Sequence, residues 1–187
     1  AIRLKFRHVP NKRLPLTPEM IVAICDVCDT QGLLGLVLKT AILFGFFTFA
    51  RQSNLAPHSP HLFDPTRHLT RGDVFFSPPG LVVLLKWTKT LQTGDYALLP
   101  IPNMPHHRHC PVRTYRSMID RLPASSNSPV FILPSSPGTT YMTISYFQQA
   151  FKLLIQVIGH DPKMYTLHSL RKSGATVSFQ SGVSLAH

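Results

Sequence analysis

His168 and Arg171 stand three residues apart in the stretch YTLHSLRKSGAT, Tyr165 to Thr176. On a helix that spacing puts both side chains on one face. An imidazole there can hydrogen-bond an anion or move a proton. A guanidinium presents a planar fork of donors that grips two oxygens of one phosphate or carboxylate. A solvated surface helix would carry the same pair, so the motif needs company. Arg51 closes the apolar run FGFFTFARQSNL. A guanidinium at that point must be paired or must reach an anion, because burying it bare is costly; a helix C-terminus that favours a cation is the plainer reason for it. Lys89 lies in LLKWTKTLQTGD, between two expected strands, where a lysine projects from a turn as a mobile ammonium or simply as a solubilising residue. Lys86 competes with it. On a strand Lys86 shares a face with residue 88, and Lys89 takes the other face or enters the turn.

The whole chain shares the bias of these positions. Its 187 residues hold 19 Lys and Arg against 8 Asp and Glu, a formal net charge of +11, so a polyanion is the first partner to consider and nucleic acid the commonest. A membrane surface is the second, and an electrostatically idle basic surface the bland alternative. A hydrophobic content of 44% suffices for one domain with a real core. Three cysteines, Cys25, Cys28 and Cys110, argue against a disulfide scaffold and for a reducing compartment. The longest apolar run, about Leu33 to Ala50, is short for a membrane span and reads as a buried helix. No signal peptide is evident in the basic lead-in, residues 1–15.

The elements that must position the cations follow from local signals. LTPEMIVAICDVCD starts a helix, with Thr17 as N-cap, Pro18 in first position and Glu19 in the first turn; Gly32 breaks it. A second helix is expected from Leu33 to Arg51, and the Pro- and His-rich residues 56–73 as irregular chain. DVFFS, LVVLLKW and YALLPIP read as three short strands with tight links, an antiparallel meander. PVRTYRSMIDRL reads as an amphipathic helix, residues 123–142 as loop with a short apolar insert, and TISYFQQAFKLLIQVIG as a helix capped by Thr143 and ended by Gly159. HSLRKSGATVSFQSG is the last helix. The expected fold is α+β, a mostly helical domain over residues 16–187 with a small three-stranded antiparallel sheet.

Taken in order, Arg, turn Lys and His-x-x-Arg resemble the catalytic domain of the tyrosine recombinases, the phage-integrase, Cre and Xer superfamily. ILFGFFTFARQSNL is similar to its first arginine segment, KWTKTLQTGDYALLPIP to its lysine hairpin, and GHDPKMYTLHSLRKSGAT to its histidine and second-arginine box. FDPTRHLTRGDV and the spacing look most like recombinases of eukaryotic mobile elements, DIRS-like or Crypton. The resemblance implies double-stranded DNA as partner, a homo-oligomer on DNA, and no metal or nucleotide cofactor; in a eukaryotic source it implies a nuclear protein. It gives Arg51 and Arg171 the non-bridging oxygens of the scissile phosphate, His168 a hydrogen bond or a proton to move, and Lys89 the leaving 5′-oxygen. Lys89 is preferred to Lys86 for its TKT context. Asn54 stands where many members have an acidic residue. None of Tyr96, Tyr115, Tyr141, Tyr146 and Tyr165 matches the family's nucleophile, which follows the second arginine at a distance. The chain therefore reads as a catalytic domain truncated before its tyrosine, or as a DNA-binding remnant of a mobile element.

Two other chemistries compete. HHRHC, with His106, His107, His109 and Cys110, and CDVC, with Cys25 and Cys28, could contribute zinc ligands. The cysteines fall in an expected helix as half-buried core thiols, and the histidines in a flexible basic loop. A metal-dependent nuclease or phosphotransferase would want clustered carboxylates, and the 8 acidic residues show no such cluster.

Overall fold

A computed structural model describes residues 13–86 and 96–180, with side chains through Gly174. Helix α1, Pro18–Asp29, begins as its sequence dictates: the Thr17 hydroxyl accepts the Met20 N–H at 3.3 Å and Pro18 fills the first turn. Met20, Ile21, Ile24, Cys25 and Cys28 line its buried face at helical spacing. A short turn through Thr30 and Gln31 leads into α2, Gly32–Thr48, which is apolar all round because it runs through the middle of the molecule. It packs on α1, on α4 (Pro111–Arg121), on α6 (Leu167–Gln180), and on strands from both sheets. No helix among the described residues is long and apolar enough to cross a membrane.

The expected second helix stops early. Thr48 turns its hydroxyl back to the Phe44 carbonyl at 2.7 Å, and Phe49 takes the left-handed conformation, φ 51°, that ends α2. Arg51 is thus not the last helical residue. It sits in the extended link into the four-residue helix α3, Gln52–Leu55, at its N-cap position.

The three-stranded sheet is the meander expected: β1 (Val74–Ser77), β2 (Gly80–Leu85) and β3 (Ala97–Pro102), antiparallel in that order, with Val74, Val83 and Leu99 in register. Val74, Leu81, Val83, Leu85 and Ile101 are buried. Gly80 is obligatory, since a Cβ there would lie 2.0 Å from the Ile101 carbonyl. A 3-10 turn, Arg71–Asp73, launches β1 through a capping box in which Asp73 accepts the backbone N–H and hydroxyl of Thr70 at 2.8 and 2.7 Å. Helix α5, Ile144–Val157, has Thr143 as its cap. The stretch expected as loop before it holds a second, two-stranded sheet, β4 (Ile132–Pro134) with β5 (Thr139–Tyr141). Two three-residue strands are too short to print an alternation, and Phe131, just ahead of them, plugs the core against Phe44 with ring centroids 5.6 Å apart.

Candidate active site

The site lies where the end of α2 meets the start of α6. Two glycines let these helices approach. Leu170 packs over Gly45, and Gly174 lies so close to α2 that a Cβ on it would stand 2.0 Å from the Phe46 carbonyl oxygen. Three further contacts pin α6. Gln148 of α5 accepts the Leu167 N–H at 3.3 Å, Ser169 accepts the Thr166 N–H at 3.1 Å, and buried Ser173 accepts the Leu16 N–H at 2.5 Å while donating to the Ser169 carbonyl at 2.6 Å. Nothing in the local sequence marks Gly45, Gln148, Ser173 and Gly174, because each acts through a partner far away in the chain.

The frame brings Arg51 and Arg171 together. Both are half-buried. Burial, and after it the charge of Arg51, push the Arg171 guanidinium below its ordinary value. Among the described residues neither arginine lies within ion-pair distance of a carboxylate; the cations that do are Lys39, Arg67, Lys86, His109 and Arg108. Two like charges held together without a counter-charge cost stability and make a receptor for an anion. His168 is exposed in the first turn of α6, one turn before Arg171, where the helix's positive end adds to the field. Three of the four expected residues therefore share this end of the molecule. Lys89 lies outside the described residues. Lys86 is tied into the fold: its ammonium meets the Asp73 carboxylate at 2.6 Å and donates to the Pro65 carbonyl.

The tyrosines have other surroundings. Tyr115 is buried and its phenol is pushed up to about 12 by desolvation. Tyr165 is buried edge-on to His160, with ring centroids 6.0 Å apart. Tyr141 and Tyr146 are half-buried, and Tyr96 is exposed.

Two readings of the metal rival need correction. Cys25 and Cys28 are fully buried, not half-buried, and burial pushes both thiols up to about 12, away from the thiolate a metal needs. The histidine run is not simply a flexible basic loop. His109 is buried and its Nε2–H donates to Asp26 at 2.9 Å, beside Arg108, which meets the same carboxylate at 2.6 Å. Asp26, Asp29 and His109 come close enough to surround a cation. Each carboxylate already has one, however: Arg108 on Asp26 and Lys39 on Asp29 at 2.7 Å. The acidic partners are invisible in HHRHC because they stand on α1, Asp26 83 residues and Asp29 80 residues before His109.

This histidine makes stability pH-dependent. Burial first, then Lys39, lower its pKa from the ordinary 6.5. The unfolded chain then binds the proton more readily than the folded one, so stability is full above about pH 6.5 and falls as the pH drops toward the lowered value. Urea midpoints at pH 7.5 and 5.5 should differ more for the native protein than for His109→Gln, which cannot take up the proton. An unchanged difference would remove His109 from the account.

No family model matches the chain. It is 25% identical over 186 residues to an integrase/recombinase XerD homologue of Selenomonas ruminantium, covering 98% of this chain and 51% of that protein. Among solved structures, the XerH site-specific recombinase in a pre-cleavage complex with its difH substrate superposes with a TM-score of 0.63 at 16% identity, covering 93% of this chain and 46% of that one. A lambda integrase dimer bound to a COC′ core site superposes with a TM-score of 0.61 at 15% identity, covering 91% and 42%. The chain thus spans about half the length of the proteins it matches. It has the α+β fold of the tyrosine recombinase/integrase catalytic domain and resembles that family in sequence along nearly its whole length.

Proposed function

We propose that this chain is the catalytic core of a tyrosine recombinase that breaks and rejoins double-stranded DNA as a homo-oligomer. The observation that carries the proposal is the Arg51–Arg171 pair, half-buried, mutually repelling, and without a carboxylate partner among the described residues. A phosphodiester under attack by a tyrosine oxygen gathers negative charge on its two non-bridging oxygens. Two preorganised guanidinium forks stabilise that charge more than they stabilise the ground state. The P–O5′ bond breaks, the phosphate stays on the tyrosine through its 3′ side, and the 5′-oxygen leaves with a proton. Lys89 supplies that proton in this proposal, and His168 hydrogen-bonds the phosphate. A second DNA hydroxyl reverses the linkage, so the covalent intermediate conserves the bond energy. The five tyrosines named above receive no role as nucleophile; the proposal assigns it to a tyrosine outside these residues. The resemblance of FDPTRHLTRGDV and of the spacing to eukaryotic mobile-element recombinases supports an enzyme of that kind, which in a eukaryotic source would work in the nucleus.

The net charge of +11 sets one expected result. If about six to ten phosphates are contacted, duplex affinity falls by about 10³ to 10⁵ between 50 and 200 mM salt. A flat response would remove nucleic acid as the partner. The decisive experiment incubates the full-length protein with end-labelled duplex and looks for a protein–DNA adduct that survives denaturation. An adduct supports strand transfer. Tight, salt-sensitive binding without one supports the second reading, a DNA-binding remnant, which the same basic surface favours.

A further inference from the structure

We propose that the pocket between the start of β1 and helix α4 binds a carboxylate carried on a small apolar body. The pocket is a cavity of about 290 Å³ lined by Arg71, Val74, Phe76, Tyr115, Ile119 and Asp120, among others. Arg71 is its central feature. The residue is only 9% exposed, and its Nε and Nη2 are buried with no hydrogen-bond partner. Burial lowers its pKa, and among the described residues Tyr115 is the one group that works the other way. The neighbouring Asp73 does not answer the charge, since its carboxylate is taken by Thr70 and Lys86. A buried guanidinium left in this state is costly, yet the chain holds it in place: the Arg71 N–H donates to the Ser128 carbonyl at 3.0 Å, and the capped turn fixes the backbone on either side.

The donors define the ligand. Nε and Nη2 occupy one edge of the guanidinium, spaced to meet the two oxygens of a single carboxylate. No hydrogen bond within the described protein ties the guanidinium down, so turning this edge toward a ligand breaks none. Tyr115, protonated through the physiological range, is a further donor beside it. Val74, Phe76 and Ile119 give the pocket apolar walls, which call for an apolar body next to the charge. Exposed Asp120 on the lining repels added negative charge, which weighs more heavily against a nucleic-acid phosphodiester chain than against a compact monoanion. A free small acid and the carboxylate at the end of a peptide share this chemistry.

The test uses benzoate with the full-length protein at pH 7.5. Benzoate should raise the melting temperature in a saturable way, and benzamide, of the same shape without the charge, should not. Arg71→Met should fold, since it exchanges an unpaired buried charge for an apolar side chain of similar length. It should weaken benzoate about ten- to hundredfold, and Tyr115→Phe should do so by a smaller factor. Tighter binding of an acetylated tripeptide ending in leucine would assign the carboxylate to a peptide, and tighter binding of benzoate to a free acid. Equal responses to benzoate and benzamide, a full benzoate response in Arg71→Met, or displacement of benzoate by duplex DNA would each overturn the proposal. If Arg71→Met does not fold, an undiminished benzoate response in Tyr115→Phe, or no difference between benzoate and benzamide on the native protein, does so instead.

Discussion

Replacing Arg171 by alanine in the full-length protein should lower covalent adduct formation by about a hundred- to thousandfold, the effect of deleting one preorganised donor to a developing oxyanion. Duplex affinity should fall far less, because phosphate contacts are spread over a basic surface of net charge +11. Arg171→Lys should rescue little, since an ammonium restores the charge but not the planar fork. Arg51→Ala should resemble Arg171→Ala, and the double variant should lose less than the product of the two effects, because the pair acts as a unit on one phosphate. A stability measurement separates this account from a structural one. Arg171 is disfavoured in its charged form by burial and by Arg51. Removing it relieves repulsion, so the urea midpoint of Arg171→Ala should stay level or rise. Equal losses of binding and cleavage, or a marked fall in stability, would make Arg171 a binding or folding residue.

The sequence was most readable where chemistry is local. Thr17, Pro18 and Glu19 announced α1, Thr143 announced α5, and the apolar runs on either side of PPG announced β1 and β2. Each signal depends on residues within a few positions of one another. The failures have the opposite character. Nothing near Arg51 says that Phe49 will adopt a left-handed conformation and end α2 first; the close packing of Gly174 on Phe46 and Phe49, from the far end of the chain, accompanies that turn. His109 looked like part of a loose basic run until α1 placed two carboxylates beside it. Lys86 has the residue type for the site, but Asp73, thirteen residues earlier, holds its ammonium. Nothing in HLTRGDVFF singles out Arg71, because only burial in the folded chain turns that arginine into an unpaired charge. In the site itself the residue types were legible and the frame was not. His168 and Arg171 share a helix face by spacing, but their nearness to Arg51 rests on Gly45, Gln148, Ser173 and Gly174.

Gly174→Ala tests that frame, and two physical effects push it in opposite directions. In a helix interior alanine is favoured over glycine by about 1 kcal/mol. Here the new methyl would stand 2.0 Å from the Phe46 carbonyl oxygen and 2.4 Å from the Phe49 ring. The first contact is with backbone inside α2, which cannot swing aside as a side-chain tip can. Overpacking of this kind costs about 1–3 kcal/mol and occasionally more, and a backbone clash belongs at the upper end, so the net loss should be about 2 kcal/mol in a urea titration. Gly45→Ala is the control. Its added Cβ meets the Leu170 Cδ1 at 3.3 Å, a movable side-chain atom, and the propensity gain should leave stability nearly unchanged. The same clash should reach the chemistry. If α6 relieves it by moving away from α2, Arg171 moves away from Arg51, and a displacement of about 1 Å in a phosphate clamp costs about a hundredfold in rate. Gly174→Ala should therefore lose cleavage beyond what its folded fraction explains, at a temperature where it remains folded. A variant as stable as the native protein, cleaving at the native rate, would mean that the helices can separate without disturbing the pair, and that the glycine contact does not set the distance between the two arginines.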